Sequence, residues 1–374
     1  MKLNYSRILF ILLVFASLSC ESGKETEKTL RIREGLRNTI GIDTDSIYTS
    51  CDFIPLETTN ECMLAGNPSI VYADNKIYMI RSNNNVYVYD FEGRFLREIG
   101  KYGKGHGEHG KITSCFFAPQ NGIVYICSFG NEIYTYKLDG EYIKKIDIKN
   151  HEESVTRAFS LIDNTKLIGI RYVYKQAGLK CYASIYDESG NIEKDYLLYT
   201  DRLSFQLTTE SFPIIYSYDG ILKVKLPFEN KLYEISTQED TKYSIFDIGN
   251  LSPPRELIEN CNNKHILYQE KCQILDVLET TKHLYIICFY AMRYHSIVIN
   301  KSTGQVIFSN SDTHPKEIGA LAYQNEDINF WPSFSEKNTI YCLIERGDTQ
   351  QKKHNIQQVS GGNAEYYIMR LQER

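Results

Sequence analysis

The side chains best suited to chemistry are gathered in a glycine-rich stretch over residues 100–110. Within it, His106, Glu108 and His109 place two imidazoles and a carboxylate inside four residues. Neutral imidazoles and carboxylates are common metal ligands, but one short loop rarely supplies a complete coordination shell. The residue types favour a ligand or metal site, whereas the glycine content favours a plain connection with solvated polar side chains.

The same stretch contains two partial nucleotide-binding patterns. Gly105 to Gly110 satisfies GxGxxG, and Gly105 to Lys111 satisfies GxxxxGK. The first pattern must open a helix, but the residues after Lys111 are β-branched and aromatic. The second requires Ser or Thr after the lysine, and Ile112 stands there. Both nucleotide-binding interpretations are therefore excluded.

Other enzyme signatures are absent from the sequence. There is no GxSxG elbow, no HExxH motif and no sialidase SxDxGxTW box. The adjacent carboxylates Glu152 and Glu153 would point to opposite faces of a strand, so they could not act on one substrate. These observations favour a protein that is not an enzyme.

Composition and charge limit the class of partner that the protein can bind. The 374 residues carry 42 Lys and Arg against 47 Asp and Glu, a formal net charge of −5. This mild acidity argues against nucleic acid, whose binding normally requires a basic face. The chain has 29 Tyr and 17 Phe but one Trp, and such a Tyr content favours half-buried strands.

The elements that would position these residues follow from a repeat that runs along the whole chain. In its clearest copy, strands Lys76–Ile80, Val86–Asp90 and Arg94–Ile99 are joined by turns rich in Asn, Asp and Gly. Such alternating strands with tight turns are typical of hairpins. Six copies begin at Lys76, Ile123, Lys166, Ile221, His283 and Thr339.

Six copies of one hairpin pattern predict an all-β fold, a six-bladed β-propeller. A four-stranded blade needs one more strand before each triplet, and Ile112–Phe117 fits that position in the second copy. The sixth copy stops after its third strand. Tyr48–Ile54 would supply the missing outer strand and close the ring between the two ends of the chain. A pair of β-sandwiches would not require six such copies.

The N-terminus resembles an export signal. Lys2 and Arg7 precede the apolar run Ile8–Phe15, which is shorter than the roughly 20 residues of a membrane-spanning helix. Small residues and Cys20 follow, as in a bacterial lipobox, although Ser17 stands where that motif usually has Leu. Lipidation of Cys20 is therefore predicted, and a soluble periplasmic protein cleaved at the same place is the alternative.

These features predict the domain organisation and the location. The expected segments are a signal peptide at 1–19, a lipidated cysteine with a tether at 20–47, and the propeller at 48–374. The tether is polar and charged over 21–34, as flexible linkers are. The expected product is an exported lipoprotein of the outer membrane, anchored by its N-terminal lipid and facing the periplasm or the cell surface.

The cysteines give weaker signals. No CxxC pair or zinc-finger spacing is present. Three cysteines lie in apolar strands, where buried thiols are expected: Cys127, Cys288 and Cys342. In an oxidising compartment, Cys51 could bridge to Cys62, or Cys261 to Cys272.

The chain resembles the six-bladed, NHL-like β-propeller lipoproteins of Bacteroidetes-type bacteria. The resemblance rests on Ile54–Thr59, on the triplet Lys76–Ile99 and on the glycine-rich stretch Gly100–His109. The family usually has Pro in place of His106 and Tyr in place of His109. The resemblance covers about residues 45–374 and is strongest over 50–150. It implies the fold and an envelope location, but no general chemistry.

Loop lengths distinguish the two ends of the predicted ring. The turns Phe91–Gly93, Leu138–Gly140 and Glu188–Gly190 are tight, whereas the other end carries the hairpin turn Arg171–Lys180 and long segments such as 100–111. Long loops on a rigid scaffold often carry binding function. Seven side chains of this long-loop end are therefore predicted to bind ligand: Arg81, His106, Glu108, His109, Arg171, Arg293 and Trp331.

The leading prediction is a non-catalytic binding or scaffold lipoprotein without a cofactor, which uses the long-loop end for a glycan, peptide or protein partner. The alternative is a metal-dependent propeller hydrolase or lyase with calcium or zinc in the central channel, as in some NHL-like relatives. A glycan-specific lectin is a third hypothesis. The single Trp weakens it, although Tyr rings also stack on sugars.

Overall fold

In the computed structural model the chain is built almost entirely from β-strands. The structure describes residues 28–41, 43–129, 131–149, 154–175, 178–201, 212–227, 229–253, 270–312, 321–323, 326–345 and 365–374. Within these residues no helix is long and apolar enough to cross a membrane. The predicted signal peptide and Cys20 lie outside the described part.

The first three blades are antiparallel sheets of four consecutive strands each. Blade 1 contains β3 (Ser69–Ala73), β4 (Ile77–Ser82), β5 (Asn85–Asp90) and β6 (Phe95–Glu98). Blade 2 contains β7 (Ile112–Ala118), β8 (Ile123–Ser128), β9 (Glu132–Lys137) and β10 (Tyr142–Asp147). Blade 3 contains β11 (Ser154–Ile162), β12 (Lys166–Lys175), β13 (Gly178–Tyr186) and β14 (Ile192–Asp201).

The next two blades repeat this order. Blade 4 contains β15 (Ile214–Tyr218), β16 (Ile221–Lys225), β17 (Lys231–Ile235) and β18 (Lys242–Phe246). Blade 5 contains β19 (Gln273–Glu279), β20 (His283–Tyr290), β21 (Arg293–Asn300) and β22 (Val306–Asp312). A separate hairpin of β23 (Leu321–Tyr323) and β24 (Glu326–Phe330) precedes the last blade.

Blade 6 joins the two ends of the chain. Its first three strands are β25 (Phe334–Glu336), β26 (Thr339–Glu345) and β27 (Tyr366–Glu373), and its outer strand is β2 (Tyr48–Pro55). Strand β2 pairs antiparallel with β27 over its whole length. The predicted six-bladed propeller and its closure by the N-terminal strand are both confirmed.

The first strands of the six blades surround a central channel. Each of these inner strands contacts the inner strand of the next blade, and β25 contacts β3 to complete the circle. Because the strands alternate in direction, each inner strand begins at the end of the ring where the second strand turns into the third. We call that end the upper face and the opposite end the lower face.

The segment before β2 is part of the fold, which corrects the predicted tether at 20–47. Strand β1 (Lys28–Leu30) adds to blade 4 as a parallel neighbour of β18. Helix α1 (Arg33–Arg37) then packs on blade 5, and a 3-10 turn (Thr44–Ser46) leads into β2. Apolar side chains drive this packing because they are buried in the cores of blades 4 and 5: Leu30, Ile32 and Leu36.

Tight turns between the third and fourth strands dock against the preceding blade. Gly93 has a φ of +83°, and a Cβ there would lie 2.0 Å from the Pro55 carbonyl oxygen. The backbone N–H of Glu57 donates to the Gly93 carbonyl at 2.8 Å. Gly190 repeats this arrangement with the backbone of blade 2. Glycine is therefore required at these turns for both backbone conformation and close approach.

Buried charged groups join blades 4, 5 and 6 in the lower half of the ring. The Glu279 carboxylate pairs with Lys301 at 2.6 Å and accepts a hydrogen bond from the Tyr216 hydroxyl at 3.1 Å. The Glu373 carboxylate accepts hydrogen bonds from the Tyr285 hydroxyl at 2.6 Å and from His283 Nδ1 at 3.0 Å. Such groups are tolerated in a core because they are paired.

A further hydrogen bond ties the closing strand to this lower network. The Tyr48 hydroxyl lies 2.9 Å from the Tyr285 hydroxyl, whose hydrogen is directed to Glu373. Tyr48 therefore acts as the donor. Burial is the main cause that raises the pKa of both phenols well above their ordinary value. The two hydroxyls thus remain neutral donors inside the protein.

The cysteine predictions have mixed outcomes. The three strand cysteines are fully buried thiols, as expected: Cys127, Cys288 and Cys342. The Cys51–Cys62 bridge is not formed, because Cys62 keeps a buried thiol that donates to the Glu57 carbonyl at 3.2 Å. Cys272 is also a buried thiol, and Cys261 lies outside the described residues.

Candidate functional site

The glycine-rich stretch 100–110 folds into a wedge against blade 2. The Gly103 N–H donates to the His109 carbonyl, and the His109 N–H donates to the Lys101 carbonyl at 2.8 Å. The Tyr136 hydroxyl holds the stretch down by donating to the Gly107 carbonyl at 3.1 Å. A Cβ on Gly100 would lie 2.8 Å from the Tyr136 ring. The glycines of the stretch 100–110 therefore allow close packing between blades.

His109 is fully buried in this wedge, which corrects its prediction as a ligand residue. Its Nδ1 lies 2.9 Å from the Gly110 carbonyl oxygen, and its ring meets the rings of Tyr134 and Tyr136 edge-on. Burial lowers the pKa of His109, with the Gly110 carbonyl acting in the opposite direction. The imidazole is therefore neutral and fills space that a ligand could not reach.

The other two candidates of the stretch also serve its local structure. The Glu108 carboxylate accepts a hydrogen bond from the Gly105 N–H at 2.7 Å. The His106 ring is exposed and meets the Tyr142 ring edge-on at 5.3 Å. The three residues do not converge with ligands from other segments in the described structure. Among the described residues, no group of three or more His, Cys, Asp or Glu could hold a metal ion.

Arg171 is buried inside blade 3, so its prediction as a ligand residue is also corrected. Its Nη2 donates to Asp195 at 2.6 Å and its Nε to the Ser184 hydroxyl at 3.0 Å. The guanidinium lies 4.9 Å from the centre of the Tyr182 ring. The predicted hairpin turn begins later than expected, since β12 continues to Lys175. Arg171 consequently stabilises the sheet.

Trp331 is half-buried and packs edge-on against Tyr285 at 5.8 Å between ring centres. It belongs to the core between blades 5 and 6. Trp331 therefore contributes to the packing of this core, and its role in ligand binding stays a prediction.

Arg81 and Arg293 lie at the upper face, as the sequence predicted. Arg81 is near the end of β4 and directs Nη1 toward the Thr113 carbonyl oxygen at 3.4 Å, across to the inner strand of blade 2. Arg293 is exposed and follows the hairpin turn of blade 5. Both guanidinium groups thus contribute positive charge to the upper face.

The inner strands share a feature that sequence patterns did not show. Four of them carry a β-bulge at an equivalent place near their upper ends. The extra residues of these bulges are Val71, Thr113, Arg157 and Leu275. A bulge re-aims side chains and is frequent beside binding sites. Since strict alternation fails at a bulge, the period of the sequence could not reveal these channel positions.

Large apolar side chains are exposed around the same end of the ring. Phe129 in the hairpin turn of blade 2 is 82% exposed, and Met292 in the hairpin turn of blade 5 is 54% exposed. Phe212, just before β15, is 65% exposed, and the bulge residue Leu275 is 43% exposed. We call these four residues the apolar set.

The turn that carries Met292 has an unfavourable backbone. Ala291 and Met292 both have positive φ values, 51° and 60°. A two-residue hairpin turn with this geometry strongly prefers Asn-Gly, because side chains are strained in the left-handed region. Here the strained position instead presents a long apolar side chain to solvent. Strain of this kind is concentrated at functional sites.

Comparison with solved structures supports the fold through one of the three neighbours described here, which has a TM-score above 0.5. A Bacteroides fragilis protein described as exported is 16% identical, with a TM-score of 0.68 over 92% of this chain and 99% of that chain. A Bacteroides vulgatus DUF4221 protein is 8% identical, with a TM-score of 0.48 over 90% and 98% of the two chains. A catalytically inactive virginiamycin B lyase from Staphylococcus aureus is 13% identical, with a TM-score of 0.46 over 86% and 99%.

No curated protein matches the chain. The sequence pattern of DUF4934, a domain of unknown function, matches residues 27–366. This match runs from the start of the N-terminal segment to the first residue of β27 and so includes every blade. The chain therefore belongs to the DUF4934 family.

Proposed function

We propose that this protein is a non-catalytic binding module that engages a protein or peptide partner with the upper face of its propeller. The observation that carries the proposal is the apolar set: Phe129, Phe212, Leu275 and Met292. Apolar side chains gathered on one face often mark an interaction site. Aromatic residues, Met and Arg are also the types enriched at protein interfaces, and Arg81 and Arg293 lie on the same face.

A protein or peptide suits this face better than a glycan. The single Trp of the chain is half-buried and packs edge-on against Tyr285, which favours a role in packing over one in sugar binding. Met292 has a flexible, polarizable side chain of the kind used by adaptable protein-binding surfaces. The metal-dependent hydrolase or lyase receives no support from the described residues, which provide no candidate ligand group.

We also infer export and anchoring through a lipid on Cys20. The support is the charged N-terminus, the short apolar run and the cysteine that follows it. The resemblance to NHL-like envelope lipoproteins points the same way. Metabolic labelling with a radioactive fatty acid should modify the wild type but not Cys20→Ser. Equal labelling of both, or none of either, would contradict the anchor.

Affinity capture from the envelope fraction of the producing cells tests the binding function. A partner should be recovered with the wild type. The recovered amount should fall at least tenfold with the double variant Phe129→Ser and Met292→Ser, because this variant removes two apolar side chains from the upper face. Ile143→Ser is the matched control, since Ile143 is 39% exposed on the outer strand of blade 2. Equal capture by the double variant and the wild type would refute the proposal.

A further inference from the structure

Exposed lysines surround an exposed aromatic residue at the upper face. Lys101 and Lys104 lie in the glycine-rich stretch 100–110, which connects β6 to β7, and Lys111 follows it directly. All three side chains are exposed. The Phe129 N–H donates to the Lys111 carbonyl at 3.1 Å, so Phe129, which is 82% exposed, lies beside this stretch. Positive charge and an apolar side chain therefore occur together in one part of the upper face.

Two further side chains belong to the same surface. Arg81 directs Nη1 toward the Thr113 carbonyl oxygen at 3.4 Å, at the start of β7. Tyr102 is 59% exposed, and its backbone bridges to that of His109 within the glycine-rich stretch. Each side chain of this surface lies within residues 101–113 or belongs to a residue that hydrogen-bonds to that segment. We call these six residues the basic aromatic patch: Arg81, Lys101, Tyr102, Lys104, Lys111 and Phe129.

Nearby carboxylates do not cancel the charge of this patch. Glu108 is the only acidic residue of the glycine-rich stretch, and its carboxylate accepts a backbone N–H inside the stretch at 2.7 Å. Glu98 accepts a hydrogen bond from Asn85 at 2.6 Å, and Glu132 pairs with Lys145 at 3.1 Å. The four cations of the patch therefore outnumber Glu98 and Glu108, in a chain whose net charge is −5.

We propose that the basic aromatic patch binds an acidic segment of a protein partner, with an apolar residue of that segment against Phe129 and Tyr102. This inference rests on the proposed binding function and adds the chemistry of the partner. Ammonium and guanidinium groups pair with carboxylates, and such complementarity selects partners by the sign of their charge. The two aromatic rings supply the apolar contact that holds the segment in place.

A short protein segment suits the patch better than a nucleic acid or an anionic membrane. Exposed charges act over about 8 Å at physiological ionic strength, so a short acidic segment meets mainly the patch. A long polyanion or a lipid surface also meets the rest of the chain, whose net charge is negative. The charge distribution therefore favours a local acidic segment.

Three short synthetic peptides with the same fluorescent label are the probes. The first has glutamates around a central phenylalanine, the second has lysine in place of every glutamate, and the third has serine in place of the phenylalanine. Fluorescence anisotropy measures their binding to the full mature chain. The first peptide should bind, the second should not, and the third should bind more weakly than the first. Added salt should weaken binding of the first peptide, because it screens the ion pairs.

Neutralising the three lysines should weaken binding of the first peptide about tenfold, as expected for three exposed ion pairs. This triple variant is Lys101→Gln, Lys104→Gln and Lys111→Gln. A matched control removes three exposed lysines of the lower face, which lie in or beside turns between first and second strands. The control variant is Lys76→Gln, Lys166→Gln and Lys337→Gln. It should bind the first peptide as the wild type does.

Two results would overturn the patch: no binding of the first peptide by the wild type, or no difference in affinity between the triple variant and its control. Stronger binding of a single-stranded oligonucleotide or of phosphatidylglycerol vesicles than of the first peptide would overturn the choice of partner.

Failure of the patch and failure of the binding function are separable. Peptide binding that depends on the three lysines, without any captured partner, would retain the patch and refute the binding function. Partner capture that depends on Phe129 and Met292, without any binding of the first peptide, would do the reverse.

Discussion

The two ends of the propeller differ in whether their charged and apolar side chains are paired and buried. In the lower half, Glu279 and Glu373 are buried and paired with side chains from neighbouring strands or blades, and glycine turns dock on adjacent backbone. At the upper face, the apolar set is exposed, and Arg157 and Tyr172 keep unused donors among the described residues. The lower half therefore holds the ring together, and the upper face remains available for a partner.

The largest expected effect comes from the lower charge network. Glu279→Ala should lower the free energy of unfolding by about 3–5 kcal/mol, because it leaves Lys301 without its buried counter-charge. Urea unfolding monitored by circular dichroism measures the loss. Glu239→Ala is the matched control: its carboxylate is 64% exposed beside Lys242, and the loss there should stay below about 1 kcal/mol. Equal losses in the two variants would contradict the assigned role of Glu279.

The same substitution at two tyrosines compares the ends directly. Tyr285→Phe should destabilise the protein by about 2 kcal/mol, since it removes hydrogen bonds to Glu373 and Tyr48. Tyr172→Phe should leave stability unchanged within about 0.5 kcal/mol or raise it, since that hydroxyl has no partner in the described structure. Unfolding of both variants in one denaturant series provides the comparison. A larger loss of stability in Tyr172→Phe than in Tyr285→Phe would contradict this difference between the two ends.

Substitutions in one turn at each end should change stability by smaller amounts and with opposite signs. Met292→Gly should stabilise the protein by about 1 kcal/mol, because it relieves a strained left-handed residue, and it should also reduce partner capture. Gly93→Ala at the lower end should instead destabilise, because the new Cβ would meet the Pro55 carbonyl oxygen. Thermal unfolding of the two variants measures whether the melting temperature rises in Met292→Gly and falls in Gly93→Ala. A stabilising Gly93→Ala, or a destabilising Met292→Gly, would contradict the account.

The smallest expected effect is a dependence of stability on pH. Burial lowers the pKa of His109 and of His295 below the ordinary value of about 6.5. Below that pH the unfolded chain takes up protons that the folded chain does not, so stability should fall as the pH falls. Denaturant unfolding should show that the free energy of unfolding decreases from pH 7.5 to pH 5.5. The slope of this decrease should be smaller in His109→Phe. An unchanged slope in that variant would show that His109 does not contribute.

The sequence was informative where a feature depended on local pattern. Alternating strands and turn glycines repeated six times, and this repetition predicted the propeller. The incomplete sixth copy together with Tyr48–Ile54 predicted the closure, which β2 confirms. Those signals are local because a strand and its turn are encoded within about ten residues.

Features that depend on long-range packing were missed. His109 was assigned to solvent because nothing nearby in sequence shows that Tyr134 and Tyr136 cover it. Arg171 was predicted to bind ligand because nothing nearby in sequence shows that Asp195 and Ser184 engage it inside blade 3. The predicted tether extended too far along the chain. The apolar residues Leu30 and Ile32 within it were a usable signal for packing.

Site-specific photo-crosslinking in the native envelope shows which part of the propeller contacts the partner. A photoreactive amino acid is placed at an upper position, 129 or 292, or at an outer-edge position, 143 or 197; all four native side chains are large, apolar and exposed. One reproducible crosslinked partner is expected from the two upper positions and none from the two outer positions. Crosslinks to the same partner from the outer positions, with none from the upper ones, would contradict it.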